Sequence, residues 1–260
     1  METTGKDWTD EDRALQRIRL LRSEDVSRIT AVITPAKIDE LRWTIRYYPL
    51  RFLGDATEAY IYGFDNAVIF YAGIAIELAL LALKRDEIKQ ELQLNPQLKV
   101  DFKWLIDHAG NLLDSGAIEL CHNIRIMRNC YTHYENIVAH LAWMHDVEEV
   151  EIWKKLQAEL GDNPEALKFI DSLRKLMDDL YKQEGMLPIR FEHLEGNKEI
   201  MPFIEKRYKE YMNWIIAWYP KKQHLHLTQK EFDAVYSVEA FDAFECINWA
   251  FDVVRKLNLI

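Results

Sequence analysis

At 260 residues, 49% apolar and 29% charged, the chain is long enough for one large domain or two small ones and too apolar to stay disordered. With only 9 Gly and 7 Pro it is poorly punctuated for a β-sandwich or barrel, and its net charge of -10 excludes adhesion to nucleic acid over the whole surface. Cys121, Cys130 and Cys246 form no CxxC pair, and an odd count argues against a secreted disulfide framework. The polar start METTGKDWTDEDR has no signal-peptide core, so a reducing cytoplasm is expected.

The acids of Thr9-Asp10-Glu11-Asp12 mark a helix start, followed by Leu15, Ile18, Leu20 and Leu21 at loosely helical spacing. Ile29 to Ile33 is β-branched and reads as a strand or a link between helices. Ile38 to Tyr48 reads as a helix with Leu41, Ile45 and Tyr48 on one side and Pro49 as its stop. No chemistry is expected here; Trp43, Tyr47 and Tyr48 read as core or lid aromatics.

The longest predicted helix runs from Asp55 to about Lys89, opened by Asp55 and Glu58 in the manner of a capping box. Its segment AVIFYAGIAIELALLAL is nearly all apolar, yet short for a membrane span, which needs about 20 residues, and Glu77 interrupts it. A helix buried in the middle of a bundle is the better reading, with no membrane partner. Glu77 then needs a partner, and Arg125 or His122 is the expected one. A polar connector surrounds Pro96. Phe102, Leu105, Ile106, Ala109 and Leu113 predict another helix, and Ser115 in Asp114-Ser115-Gly116 reads as the cap of the next.

That next helix, AIELCHNIRIMRNCYTHYENI (117–137), carries the candidate chemistry. With Arg128 at zero on a helical wheel, Arg125, Asn129, His122 and His133 fall between about 60° and 140°. Ile126, Cys130, Met127, Tyr134 and Leu120 occupy the arc from about 160° to 280°, the expected packing face. No acid lies between Glu119 and Glu135. Two guanidinium forks, two imidazoles and a carboxamide on one face suit a phosphate.

Arg128-Asn129-Cys130-Tyr131-Thr132-His133 reads R-N-x-x-x-H and resembles the signature of HEPN domains, an all-helical ribonuclease and toxin superfamily. An aromatic, Tyr134, follows the His. The order of elements from about residue 55 to 146 is similar too: a long apolar helix, a loop, a shorter helix, a break, then the motif helix. The resemblance implies an all-α fold of HEPN type and a metal-independent endoribonuclease, a toxin or defence effector, cutting RNA by attack of the ribose 2′-OH. Arg128, Asn129 and His133 are the catalytic positions carried over from it. Arg125 and His122 join them from the wheel as substrate-binding residues, with Glu77 and Tyr134 in support. The resemblance also implies a homodimer paired through the motif helix, and an antitoxin or other regulatory protein as a further partner. No cofactor is expected. Three regions follow: a helical extension (1–50), the HEPN-like core (51–146) and a helical C-terminal region (147–260).

Beyond residue 146 the chain reads as helical, with two alternating segments, Ile189 to Leu194 and His224 to Leu227, that leave room for one short β-hairpin. Thr228-Gln229-Lys230-Glu231 is a capping box opening a last helix toward Leu257. His224-x-His226 lacks a third ligand nearby, so no metal site is expected. No P-loop, dinucleotide fingerprint or nucleophile elbow occurs. Two rival readings remain: an inactive HEPN-like module for dimerisation or nucleotide binding, and a plain helical scaffold. An active site needs the basic face open to a cleft, whereas a scaffold needs it covered by Glu and Asp.

Overall fold

The computed structural model describes residues 9–132 and 225–260, with single positions between 203 and 217. Every regular element among the described residues is a helix, as expected for an all-α fold. Residues up to Arg128 form one compact unit together with Leu227–Ile260, and Asn129–His226 form a second. The N-terminal helices and the last two helices share the first unit, which holds the apolar core. In the second unit Phe203, Tyr211 and Ile215 are buried, and buried Arg207 pairs with Glu210 at 2.6 Å. His133, Tyr134, His224 and the alternating segment from Ile189 lie outside the described residues.

Helix α1 (Asp10–Asp25) starts where the acids predict: Thr9 accepts from the Asp12 backbone, and the Asp12 carboxylate accepts from the Thr9 backbone in return. The β-branched run at 29–33 belongs to a short helix, α2 (Ser27–Val32), rather than a strand. Local i→i+4 bonds and burial of Ile29 outweigh β propensity here. Helix α3 (Pro35–Glu40) stops at Leu41, and a turn follows. Pro49 is not a stop: it lies in the first turn of α4 (Tyr47–Ile61), where a missing N–H leaves no bond unmade. Asp55 sits inside α4, so the expected capping box there does not form; its carboxylate pairs instead with Arg51, one turn back, at 3.1 Å.

The single long helix expected from Asp55 is three helices. Gly63, at φ +80°, turns the chain between α4 and α5 (Asp65–Leu83), a conformation that side-chain-bearing residues rarely adopt. Lys84 separates α5 from α6 (Arg85–Leu94). Helix α5 is long and apolar enough to cross a bilayer. Yet it buries one broad stripe, Val68, Ile69, Ala72, Gly73, Ala75, Ile76, Ala79 and Leu80, rather than all sides, and Phe70 is exposed. The stripe packs against α4 and against α10 (Val238–Lys256), whose Ala243, Cys246, Ile247, Ala250 and Val254 repeat at the same spacing. Full burial of each large residue in this three-helix core stabilises by about 1.5–3 kcal/mol.

Thr228 and Glu231 form the expected reciprocal cap at the start of α9 (Gln229–Tyr236). The last helix is nevertheless broken, because Ser237 caps a new start at α10 with its hydroxyl on the Ala240 N–H at 3.1 Å. One buried cation ties these elements together. Arg22 of α1, 1% exposed, makes two hydrogen bonds to Asp65 at the start of α5, at 2.5 and 3.0 Å. It also donates to the carbonyls of Tyr60 and Ala234 and lies over the Tyr60 ring. Arg22→Ala leaves the Asp65 carboxylate without its cation and is expected to cost about 3–5 kcal/mol in urea unfolding. Replacing exposed Arg13, on the same helix, is expected to change stability by less than about 0.5 kcal/mol.

Candidate functional site

Helix α7 (Phe102–Asp107) is shorter than expected; Asp101 caps it, and residues 109–113 form turns. The motif helix α8 (Ser115–Thr132) then begins, capped not by Ser115 but by Asp114, whose carboxylate accepts from the Ala117 N–H at 2.8 Å. Lys256 also pairs with Asp114, and with the Ala117 bond this holds that carboxyl below its usual range.

Burial along α8 recurs at Ala117, Cys121, Ile124, Met127 and Cys130. On the wheel these span from about 200° through zero to about 20°, so the packed face is rotated from the expected arc and reaches Arg128 itself. Leu120 and Ile126 are only half-buried. The reason lies in α5. Gly73 and Glu77 are one turn apart and share a face. The stem of Arg128 runs over Gly73 so closely that a β-carbon there would stand 2.9 Å from the Arg128 Cδ. Its head group then meets Glu77, with Nη1 donating to Oε2 at 2.8 Å, and its guanidinium carbon lies 4.9 Å from the centre of the Phe102 ring. The Arg128 side chain is 18% exposed and that of Glu77 29%.

Glu77 therefore pairs with Arg128, not with the expected Arg125 or His122. A second acid serves the other side. Asp107 lies 3.4 Å from His122 Nε2 and accepts from Lys103 at 2.7 Å. The Lys103 hydrogen bond and charge, then the charges of His122 and Arg125, hold its carboxyl below the usual carboxylate range. Arg125 and Asn129 are half-buried on the same helix. The structure thus brings Glu77 to Arg128, and Asp107 to His122 and Arg125, while His133 and Tyr134 lie outside the described residues.

Gly73, Phe102 and Asp107 were missed by the sequence reading. Gly73 left a signal: a lone glycine in an apolar run, one turn before the run's only acid, marks a place where another chain segment comes close. Cys121, buried at 0% exposure, has its thiol pushed up to about 12 by desolvation, and Cys130 is also buried, so neither has the setting of a nucleophile. Among the described residues no cluster of three or more His, Cys, Asp or Glu could hold a metal.

The Gly73 slot makes a testable claim. Gly73→Ala is expected to destabilise by about 1–3 kcal/mol, because Arg128 is pinned at both stem and head. In an Arg128→Ala background most of that loss should vanish, and a double-mutant cycle in urea reads the coupling directly.

The chain matches no protein-family model, no curated protein and no solved structure.

Proposed function

We propose that this chain is a metal-independent endoribonuclease of HEPN type, with Arg128, Asn129 and His133 forming half of a site that a second copy completes. The observation that carries the reading is the posture of Arg128. The motif arginine is not a loose surface cation. A glycine slot, a carboxylate and an aromatic ring fix it one residue before Asn129. A cation fixed before the substrate arrives stabilises transition-state charge without reorganising.

The reaction follows from those residue types. A ribose 2′-OH attacks the adjacent phosphorus, forming the 2′-O–P bond while the P–O5′ bond breaks. His133 takes the 2′-OH proton, since an imidazole with a pKa near 6.5 suits that transfer at neutral pH. A second proton goes to the leaving 5′-oxygen, in the dimer from the other copy's imidazole. Arg128 offsets the charge of the phosphorane, and Asn129 orients His133 or the phosphate through its amide. Glu77 limits the net positive charge and in exchange fixes the fork's direction. DNA lacks the nucleophile and is spared.

Five positions separate Arg128 from His133 in the sequence, a rise of about 7.5 Å for helical spacing, too far for the two to hold one phosphate alone. Pairing of two motif helices about a two-fold axis would bring both kinds of group to one cleft. A dimer by light scattering at micromolar concentration is the expected result, and a monomer counts against the composite site.

A second reading has its own support. Carboxylates stand against both Arg128 and His122, the covering by Glu and Asp that a plain scaffold requires and an open active face does not. Cleavage of a labelled structured RNA in EDTA separates the two. The wild type should leave 2′,3′-cyclic phosphate ends. Arg128→Ala should lose about 10²–10³-fold in rate, and His133→Ala at least as much. Cleavage that survives His133→Ala sinks the assignment, and wild type that cuts no RNA leaves the binding module.

A further inference from the structure

In the segment joining α3 to α4, Trp43 and Tyr48 are not core aromatics, while Tyr47 is half-buried. Trp43 is 95% exposed, Tyr48 63% and Ile45 54%. Trp43 also has φ +78°, a left-handed conformation that a bulky residue rarely takes. The turn around it is well tied. Thr44 donates its hydroxyl to the Leu41 carbonyl at 2.7 Å and accepts from the Arg46 N–H at 3.3 Å, and the Tyr47 N–H returns to the Thr44 carbonyl. The ring is thus held out from a fixed turn by a backbone under strain. Strained backbone persists where the surroundings over-determine it, and it clusters at binding sites.

The charge of this segment runs against that of the chain. Between Glu40 and Asp55 stand Arg42, Arg46 and Arg51 and no acid, in a protein of net charge -10. All three arginines are exposed. Arg42 and Arg51 pair with Asp39 and Asp55 at the segment's edges, at 3.8 and 3.1 Å. Exposed pairs of this kind are weak and exchange readily for a phosphate. The start of α4 adds the positive end of a 15-residue helix with no side-chain cap.

We infer that the α3–α4 turn is a binding platform for single-stranded nucleic acid, in which Trp43 stacks on a base, with Tyr48 beside it, and Arg42 and Arg46 take the flanking phosphates. An exposed aromatic among cations in an acidic body is the arrangement by which single strands are held without sequence readout. This reading stands apart from cleavage. The platform would hold a strand whether or not Arg128 and His133 cut it.

The test is fluorescence anisotropy of the full chain with a labelled oligo-dT of about 15 nucleotides, which a 2′-OH-dependent nuclease cannot cut. Trp43→Gly is the sharp variant. Glycine accepts the positive φ, so its melting temperature should equal or exceed that of wild type, while binding weakens about tenfold or more. Trp43→Phe keeps a stacking face and should bind within about threefold of wild type. Arg42→Ala with Arg46→Ala should flatten the salt dependence of log K by about 1.4, roughly 0.7 for each phosphate no longer neutralised. The proposal is overturned if Trp43→Gly binds as wild type does. It is also overturned if wild type ignores the oligonucleotide, including the case where it binds phosphatidylserine vesicles through Trp43 instead.

Discussion

A guanidinium sealed from water has to be answered on every side, and Arg22 is answered by three other helices at once. Its own helix α1 supplies it, the last turn of α4 gives the Tyr60 carbonyl and ring, Asp65 at the start of α5 gives the countercharge, and α9 gives the Ala234 carbonyl. Removing the Asp65 carboxylate leaves a charge uncompensated at 1% exposure, a cost of about 3–5 kcal/mol. The contact also sets position. Asp65 opens α5, so anchoring it fixes the face and height at which Gly73 and Glu77 appear about two and three turns later. Arg128 is received there. The contact that receives Arg128 is thus built on the same helix that the buried cation anchors.

Much of the fold was legible because its signals are local. Thr9 with Asp12 and Thr228 with Glu231 announce helix starts within four residues, and both caps form. That α5 is a helix of the core follows from its apolar run, but its one-sided stripe does not, because nearly every position in the run is apolar. The breaks were harder to read. Gly63 and Ser237 interrupt runs that remain periodic on either side, and the choice between continuing and turning is settled by distant packing. Pro49 shows the same ambiguity: proline ends one helix and opens another with equal ease.

The site was legible as a set of residue types and not as a set of contacts. Arg128, Asn129, Arg125 and His122 do share a helix, but the wheel could not tell that α5 would press against the Arg128 edge. Pairing of Glu77 with Arg128 instead of Arg125 follows from the missing side chain at Gly73, which lets only that stem through. Trp43 defeated the sequence reading for the opposite reason. A large aromatic is more often buried than displayed, and only the backbone angle and exposure reveal that this one is held out. The two cationic places differ in kind. Arg128 is largely enclosed and held by Glu77, Gly73 and Phe102, while the α3–α4 turn is open and spread along the chain.

The most direct test of the central claim, that Arg128 is a phosphate-directed group held in place by Glu77, is the ¹⁵N–¹H resonance of its Nε during titration with an uncleavable 2′-deoxy dinucleotide. The signal is assigned by its loss in Arg128→Lys. It should be sharp in the free protein, shift saturably with ligand, and broaden without saturating in Glu77→Ala. An Arg128 signal that ignores the ligand would place the pair among the structural ion pairs of the bundle and contradict the account.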